Sequence, residues 1–301
     1  MNQVLFSIGF VAFNNADDVQ SMVDYLEDWN CENVSEYLLV DHSSHSVSRE
    51  AIQEITKKAG WGYCPRPNLG FGAGVNAICS MCTGNRVLVM ANLDVKIKGP
   101  PPFFIMAEAV LNQGYTLVGT SLLDANRNPS SGRLPAWGWS VVSWDYKRDH
   151  SLIRDLSGEL HSEAVIPWSG SVHGGCFALD VSVWDKFGGL DENLFLYGEE
   201  FDLSMKVKRA GGRIGFLDGQ SISHRSEGNA TLLHKVANMY NMKYLASRES
   251  MSGLTYYFMM RWFFLVVFHF PTIPLFWRGV FCHNLNRKSL FKVARAKIQG
   301  R

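Results

Sequence analysis

A mostly parallel β-sheet flanked by helices is the architecture this sequence predicts, and three observations carry it. Short β-rich apolar runs (Val4–Phe13, Tyr37–Val40, Trp61–Cys64, Arg86–Met90, Thr116–Thr120) recur along the first 120 residues. Between them lie stretches with helical character, and strand–helix alternation of this kind builds parallel sheets covered by helices. Two acidic residues, Asp41 and Asp94, fall just past strands, where ligands bind in such sheets.

The elements follow in order. The first strand, Val4–Phe13, ends at Asn14-Asn15, and a helix from Asp17 to Trp29 carries Val19, Met22, Val23, Leu26 and Trp29 at helical spacing. Tyr37–Val40 is a short buried strand that stops at Asp41. A helix over Ala51–Ala59 and a strand over Trp61–Cys64 come next. A glycine-rich turn then opens a small-residue helix, Ala73–Cys82. The strand Arg86–Met90 runs into Ala91-Asn92-Leu93-Asp94, followed by a helix over Phe103–Leu111 and a strand over Thr116–Thr120. Residues 121–172 are rich in Pro, Gly, Ser and Trp and read as loops with a short antiparallel piece shaping a cleft. Gly174–Leu179 is a strand, Val181–Phe187 and Glu199–Ala210 are helices, Arg213–Leu217 is a strand, and Thr231–Ser247 is a long helix. The expected division is a domain over 1–248 and an aromatic, basic helical segment over 249–301.

Composition narrows the function. With 301 residues, 47% of them apolar, the chain can bury a full core. A formal charge of +1 gives no overall attraction to nucleic acid. The six cysteines lack the rhythm of a disulfide scaffold, which fits a reduced setting. Cys79 and Cys82, with no second pair at zinc-site spacing, read as packing residues. Met1-Asn-Gln has no basic stretch of the kind that opens a signal peptide, so the expected location is cytoplasmic.

Four motifs could carry chemistry. Phe195 to Leu203 sets Glu199, Glu200 and Asp202 at the start of a helix among aromatic residues. A carboxylate there can take a proton from a hydroxyl in a pocket that partly excludes water. Acidic residues also simply favour a first helical turn. Asn68 to Asn76 holds Gly70, Gly72 and Gly74, which allow close approach of backbone to a ligand or of the helix to the sheet. The glycine spacing invites a dinucleotide-binding reading, and with it a nicotinamide-dependent oxidoreductase, but that fingerprint belongs in the first strand-to-helix turn. Asn92-Leu93-Asp94 at a strand end suits a divalent cation that grips a diphosphate, or a plain turn. His224, after a short strand, could complete such a site with Asp94 or hydrogen-bond within its loop.

Taken in order, Asp41, Asn68-Leu-Gly-Phe-Gly72, Asn92-Leu-Asp94, Gly174-Gly-Cys-Phe-Ala-Leu179, Glu199-Glu-Phe-Asp-Leu203 and His224 resemble the inverting family 2 glycosyltransferases of GT-A fold. The resemblance covers about residues 4–248 and is nearest to the rhamnosyltransferase-like branch of bacterial surface-polysaccharide synthesis, such as O-antigen or capsule. It implies that Asp41 contacts the nucleotide base, that Asn14 lies in the same pocket, and that Asn68, Gly70, Gly72 and Asn76 line the nucleotide-sugar site. Asn92-Leu-Asp94 matches the family's Asp-x-Asp motif with Asn in first place. Asp94 and His224 would then hold Mg2+ or Mn2+. Glu200 falls where the family has a catalytic Asp and is one methylene longer; Glu199 is its rival, and Asp202 a supporting group. The implied reaction moves a sugar, rhamnose from dTDP-rhamnose or a hexose from a UDP-sugar, to a lipid-linked glycan acceptor. A non-catalytic nucleotide-sugar-binding assembly protein is the alternative from another class.

The segment Leu254–Cys282 is strongly aromatic but interrupted by Arg261, His269, Pro271, Pro274 and Arg278. Clean spanning needs about 20 apolar residues. Tyr and Trp followed by the basic residues from Arg287 onward suit attachment at a membrane surface, the expected site being the cytoplasmic face of the inner membrane. A span, a hairpin or a soluble helical cap are the other readings of the same stretch.

Overall fold

The computed structural model describes residues 4–29, 33–97, 101–123, 165–168 and 170–224, together with positions 241, 244, 245 and 248. The aromatic segment 254–282 and most of the expected helix over 231–247 lie outside the described residues. No helix among the described residues is long and apolar enough to cross a membrane. The chain divides into two compact units, one made of residues 1–134, 146–193 and 199–228, the other of 135–145, 194–198 and 229–301.

The first unit is built on a nine-stranded sheet. In chain order its elements are β1 (Phe6–Ala12), α1 (Ala16–Trp29), β2 (Val34–Asp41), α2 (Ser46–Lys58), β3 (Gly62–Pro65), α3 (Phe71–Met81), β4 (Val87–Ala91), β5 (Val95–Ile97) and α4 (Phe103–Asn112). They continue with β6 (Leu117–Leu123), β7 (Val165–Pro167), β8 (Cys176–Asp180), a 3-10 turn over Val181–Val183, α5 (Trp184–Phe187), α6 (Glu199–Arg209) and β9 (Ile214–His224). The sheet order is β3-β2-β1-β4-β8-β6-β9-β5, with β7 against β9. Strands β1, β2, β3, β4, β6 and β9 share one direction, while β5, β7 and β8 oppose it. This is the expected GT-A arrangement of a mostly parallel sheet between helices.

The core explains the strand sequences. Phe6, Ile8 and Phe10 of β1 and Val87 and Val89 of β4 are wholly or almost wholly buried, and Val19, Met22, Val23 and Leu26 of α1 pack into the same core. The rings of Phe10 and Tyr37 both stack on Trp61, with centroids 5.0 and 5.3 Å away. Helix α3 lies close to the sheet because both sides lack bulk. A Cβ on Gly74 would stand 2.8 Å from Val11, and one on Gly9 would stand 2.6 Å from Ile78. Gly74 therefore serves helix–sheet packing, one of the two uses its motif allows.

Three differences from the sequence reading matter for the site. The strand expected at Gly174–Leu179 runs against its neighbours, so Ala91 faces Cys176 and Val87 faces Asp180. Its amino end therefore arrives where β4 ends. β9 is longer than expected, reaching His224 through Asp218 and Gly219, whose polar and flexible character resembles a strand break. β5, three residues long, pairs with it antiparallel. In the second unit, the Asn241 side chain is buried and donates to the carbonyls of Leu196 and Tyr197, each at 2.8 Å. Tyr197 there has φ 76°, a conformation costly for an aromatic residue that these two bonds offset.

Candidate active site

Parallel strands end together, so the carboxyl ends of β1, β2, β3 and β4 form one edge, with Ala12, Asp41 and Pro65 in register. The polar residues along this edge fall into two groups.

The first group surrounds β2. Asp41 is fully buried, and its two oxygens accept from the Ser43 N–H and the Tyr63 hydroxyl, both at 2.8 Å. Burial and then the bond to Asp41 raise the Tyr63 pKa well above its ordinary value, so the phenol stays protonated and donates. Asn14 takes φ 53°, which Asn tolerates better than most residues, and its side-chain oxygen accepts from the N–H groups of Ser44 and His45 at 3.0 and 3.1 Å. Its amide donates to the Ser44 hydroxyl, and its own N–H to the Ser43 hydroxyl. Asn14 and Asp41 thus lock the two strand ends together. Beside them His42 lines a cleft of about 450 Å³ with Cys64, Arg66, Leu69, Ala73 and Glu192. Burial, opposed by Asp41 and aided by Arg66, lowers the His42 pKa to about 4, so the ring is neutral near pH 7.

The glycine-rich turn borders this cleft. The Asn68 side chain accepts from the Gly70 N–H at 3.1 Å, and Gly70, with φ 109°, swings the chain into α3. A Cβ on Gly72 would stand 3.3 Å from the Leu190 Cβ and in ordinary contact, 3.6 Å, with the Glu199 Cγ. Asn76, expected to line the nucleotide-sugar site, has its amide clamped on the 189–192 loop. It donates to the Leu190 carbonyl and to Glu192, each at 3.0 Å, and accepts from the Leu190 N–H at 2.8 Å.

The second group sits where β4 and β8 meet. The Asn92 N–H donates to the Gly175 carbonyl at 2.8 Å, which ties the Asn92–Asp94 turn to the loop entering β8. One residue earlier, the Gly174 N–H donates to a Glu200 carboxylate oxygen at 3.0 Å. Gly174 leaves room for that carboxylate, because a Cβ on it would come within 3.0 Å of the carboxyl carbon. The Ser204 hydroxyl, one turn along α6, accepts from the Val172 N–H and donates to the Glu200 carbonyl. Glu200 and the Asn92–Asp94 turn are therefore held by the same two glycines.

The three acids of α6 part company here. Glu199 is 1% exposed and Asp202 fully buried, whereas Glu200 is only half-buried. Asp202 pairs with Lys206 at 3.0 Å, and Lys206 donates to the Gly189 carbonyl at 2.7 Å, a structural tie between α6 and the 189–192 loop. Their common place in the first turn of α6 also suits the helix dipole, so the plainer account of this acidic start holds as well.

Asp94 is half-buried, and β9 ends opposite the residue that follows it: the Cα of His224 pairs with Val95. Among the described residues no group of three or more His, Cys, Asp or Glu forms a ready-made metal cluster. A single half-buried carboxylate at a strand end suits a cation that takes most of its ligands from a phosphate and water, the usual habit of Mg2+. Sequence reasoning missed His173, whose Nδ1 accepts from the Gly175 N–H at 3.0 Å inside the same loop. Only its place just before the Gly174-Gly175 pair marked it.

The profile of glycosyltransferase like family 2 matches residues 10–238, from within β1 to beyond β9. The chain belongs to that family. The low-salt glycan biosynthesis hexosyltransferase Agl10 of Haloferax volcanii is 21% identical over 255 residues, covering 82% of this chain and 76% of that protein. Among solved structures, GalNAc-T7 with UDP, GalNAc and Mn2+ superimposes with a TM-score of 0.56 and 17% identity. That match covers 90% of this chain but 58% of the other, so this chain spans less than two thirds of GalNAc-T7. The mannosyltransferase PcManGT from Pyrobaculum calidifontis, in complex with GDP-Man and Mn2+, matches with a TM-score of 0.53 and 11% identity over 98% of this chain and 85% of that one. At these identities the structural likeness speaks for the fold. Family membership displaces the oxidoreductase reading, whose glycine motif in any case follows β3 and not β1.

Proposed function

We propose that this glycosyltransferase moves a sugar from a nucleoside-diphosphate donor to an acceptor hydroxyl with inversion, and that Glu200 is its base. The observation that carries the reading is the shared tether: Gly174 binds the Glu200 carboxylate while Gly175 binds the Asn92–Asp94 turn. A base and a diphosphate-facing acid are thereby kept at one strand junction. Half-exposure favours Glu200 over the buried Glu199 as the group that meets an acceptor.

In the reaction, Glu200 accepts the proton of the acceptor hydroxyl. The oxygen forms a bond to the anomeric carbon from the face opposite the leaving group. The bond from that carbon to the diphosphate breaks, and its electron pair leaves with the diphosphate oxygen. Asp94 and His224 are the residues that would hold Mg2+ or Mn2+, whose chemistry there is neutralisation of charge on the departing diphosphate. Asp41, expected to contact the nucleotide base, is fully buried, so it and Asn14 serve by keeping the strand ends in place beside the cleft lined by His42 and Arg66, which takes the base in this reading.

The finer assignments rest on different supports. A hexose donor is favoured by the name of the Haloferax relative, a glycan-biosynthesis hexosyltransferase, and dTDP-rhamnose by the motif resemblance. A lipid-linked glycan acceptor in surface-polysaccharide synthesis, met at the cytoplasmic membrane face, is favoured by the aromatic stretch 254–282 and the basic residues after it. The test is a panel of UDP-, GDP- and dTDP-sugars, assayed for nucleoside diphosphate release with and without Mn2+ in the presence of lipid-linked acceptor. Metal-dependent release from one donor class is expected. No release from any donor contradicts the proposal.

A further inference from the structure

The two glycines that tether Glu200 and the Asn92–Asp94 turn raise a physical problem. Gly174 and Gly175 carry no Cβ, and consecutive glycines have the widest backbone freedom of any pair. Gly174 cannot be stiffened by a side chain, since a Cβ would fall on the Glu200 carboxylate. Yet two bonds depend on how these peptides face: the Gly174 N–H toward Glu200, and the Gly175 carbonyl toward the Asn92 N–H. Something outside the pair must hold it.

We infer that His173 is a positioning residue for catalysis: by accepting the Gly175 N–H on Nδ1, it sets the orientation of the Gly174-Gly175 peptides that aim Glu200 and the Asn92–Asp94 turn at the reacting centre. The contact is 3.0 Å and spans two residues, the geometry by which Asx turns are closed. The same chain uses that device elsewhere with other side chains, Asn68 on Gly70 at 3.1 Å and Asp41 on Ser43 at 2.8 Å. At 173 an imidazole does it. The His173 carbonyl also accepts from the Cys176 N–H at 3.4 Å, so the residue brackets the glycine pair from both its side chain and its backbone. Val172 just before it is anchored on Ser204 of α6, and Cys176 just after it pairs with Ala91 in the sheet. With both ends of the loop fixed, the Nδ1 bond acts on the Gly174–Gly175 peptide between them.

The inference rests on Glu200 being the base, and its test separates the two claims. His173→Ala and His173→Asn are prepared in the full chain. Each is assayed for nucleoside diphosphate release with the donor active in the panel and followed by amide hydrogen exchange over 172–176 and 90–96. In His173→Ala, kcat should fall about 10- to 100-fold while donor KM stays within about threefold, the pattern of a group misplaced in the transition state only. Exchange at Gly174 and Gly175 should quicken about tenfold or more. His173→Asn, whose side-chain oxygen can accept the same N–H, should restore both. Unchanged kcat and exchange in His173→Ala overturn the inference, as does an Asn variant as impaired as the Ala variant. If the wild type releases no diphosphate from any donor, the proposed function fails, and exchange alone then decides whether His173 orders the glycine pair.

Discussion

The antiparallel pair β4–β8 has two ends, and they are built on opposite plans. At the end where Val87 faces Asp180, the polar groups bind each other. Arg86 donates to Asp180 from two guanidinium nitrogens at 2.7 and 3.0 Å, Ser182 adds its N–H at 3.0 Å, and the Val181 N–H meets the Arg86 carbonyl. Burial pushes the Asp180 carboxyl upward, but Arg86 and Ser182 outweigh it and hold the group below its ordinary value. Nearby, Cys82, Asn85 and Glu36 converge on the Ser7 hydroxyl. At the other end, where Ala91 faces Cys176, the acids Glu200 and Asp94 are kept half-exposed and steered by glycine backbone. One end closes its polar groups on themselves and fastens the sheet. The other holds Glu200 and Asp94 half-exposed beside a pair of glycines. Mutations should separate the two ends, lowering activity without stability at one and stability without activity at the other.

The sharpest way to break this contrast is Gly174→Ala. The added Cβ meets the far end of a flexible side chain, so the fold can yield by moving the Glu200 carboxylate. The expected result is a loss of about 100-fold in kcat, the cost of misplacing a reacting group by about 1 Å, with little change in melting temperature. A large drop in melting temperature would show that this end, too, fastens the sheet. At the opposite end Arg86→Ala should cost about 2 kcal/mol of stability, since it leaves the buried Asp180 carboxylate without its charged partner. Denaturant titration measures that loss, and kcat should be unchanged. A kcat that fell with stability would mean the two ends are coupled through β4 and β8.

The smallest expected effect sharpens the comparison from the cleft beside β2. His42 lies at the site end, yet its lowered pKa is a stability term. Below the unfolded value of 6.5 the unfolded chain takes up a proton that the folded chain refuses until about pH 4, so stability is full above 6.5 and is lost as pH falls through that window. From about pH 7 to about pH 5.5 the loss from this group should be about 1 kcal/mol. His42→Asn should flatten that part of the stability profile, and an unaltered slope would contradict the assignment.

These two ends were not equally legible in the sequence. Asp41 and Asp94 could be found because apolar strands stop just before them, and Glu199, Glu200 and Asp202 because they open a helix amid aromatics. Strand direction could not be read: Cys176–Asp180 is apolar enough to be buried on both faces, and that pattern is the same in either direction. Without the reversal of β8, nothing in the sequence tells that Gly174 meets Glu200, or that Arg86 meets Asp180 across 94 residues. The Asn76 clamp on Leu190, 114 residues away, was hidden for the same reason. His173 was hidden because a histidine closing a two-residue turn looks like any loop histidine. His224 was found, but as a residue beyond a short strand, because Asp218 and Gly219 mask the continuation of β9 that sets it opposite Val95.

The account turns on which of two neighbouring carboxylates takes the acceptor's proton. The direct measurement is the rate of nucleoside diphosphate release to acceptor by Glu200→Gln and Glu199→Gln, compared with wild type at saturating donor, with melting curves for all three. The account predicts that Glu200→Gln loses about 10²- to 10⁴-fold in rate and keeps its melting temperature, since the amide can still receive the Gly174 N–H. Glu199→Gln, altered at a buried position beside Gly72, should show its effect mainly in stability. A Glu200→Gln enzyme that transfers at the wild-type rate while Glu199→Gln is inactive and folded would contradict it.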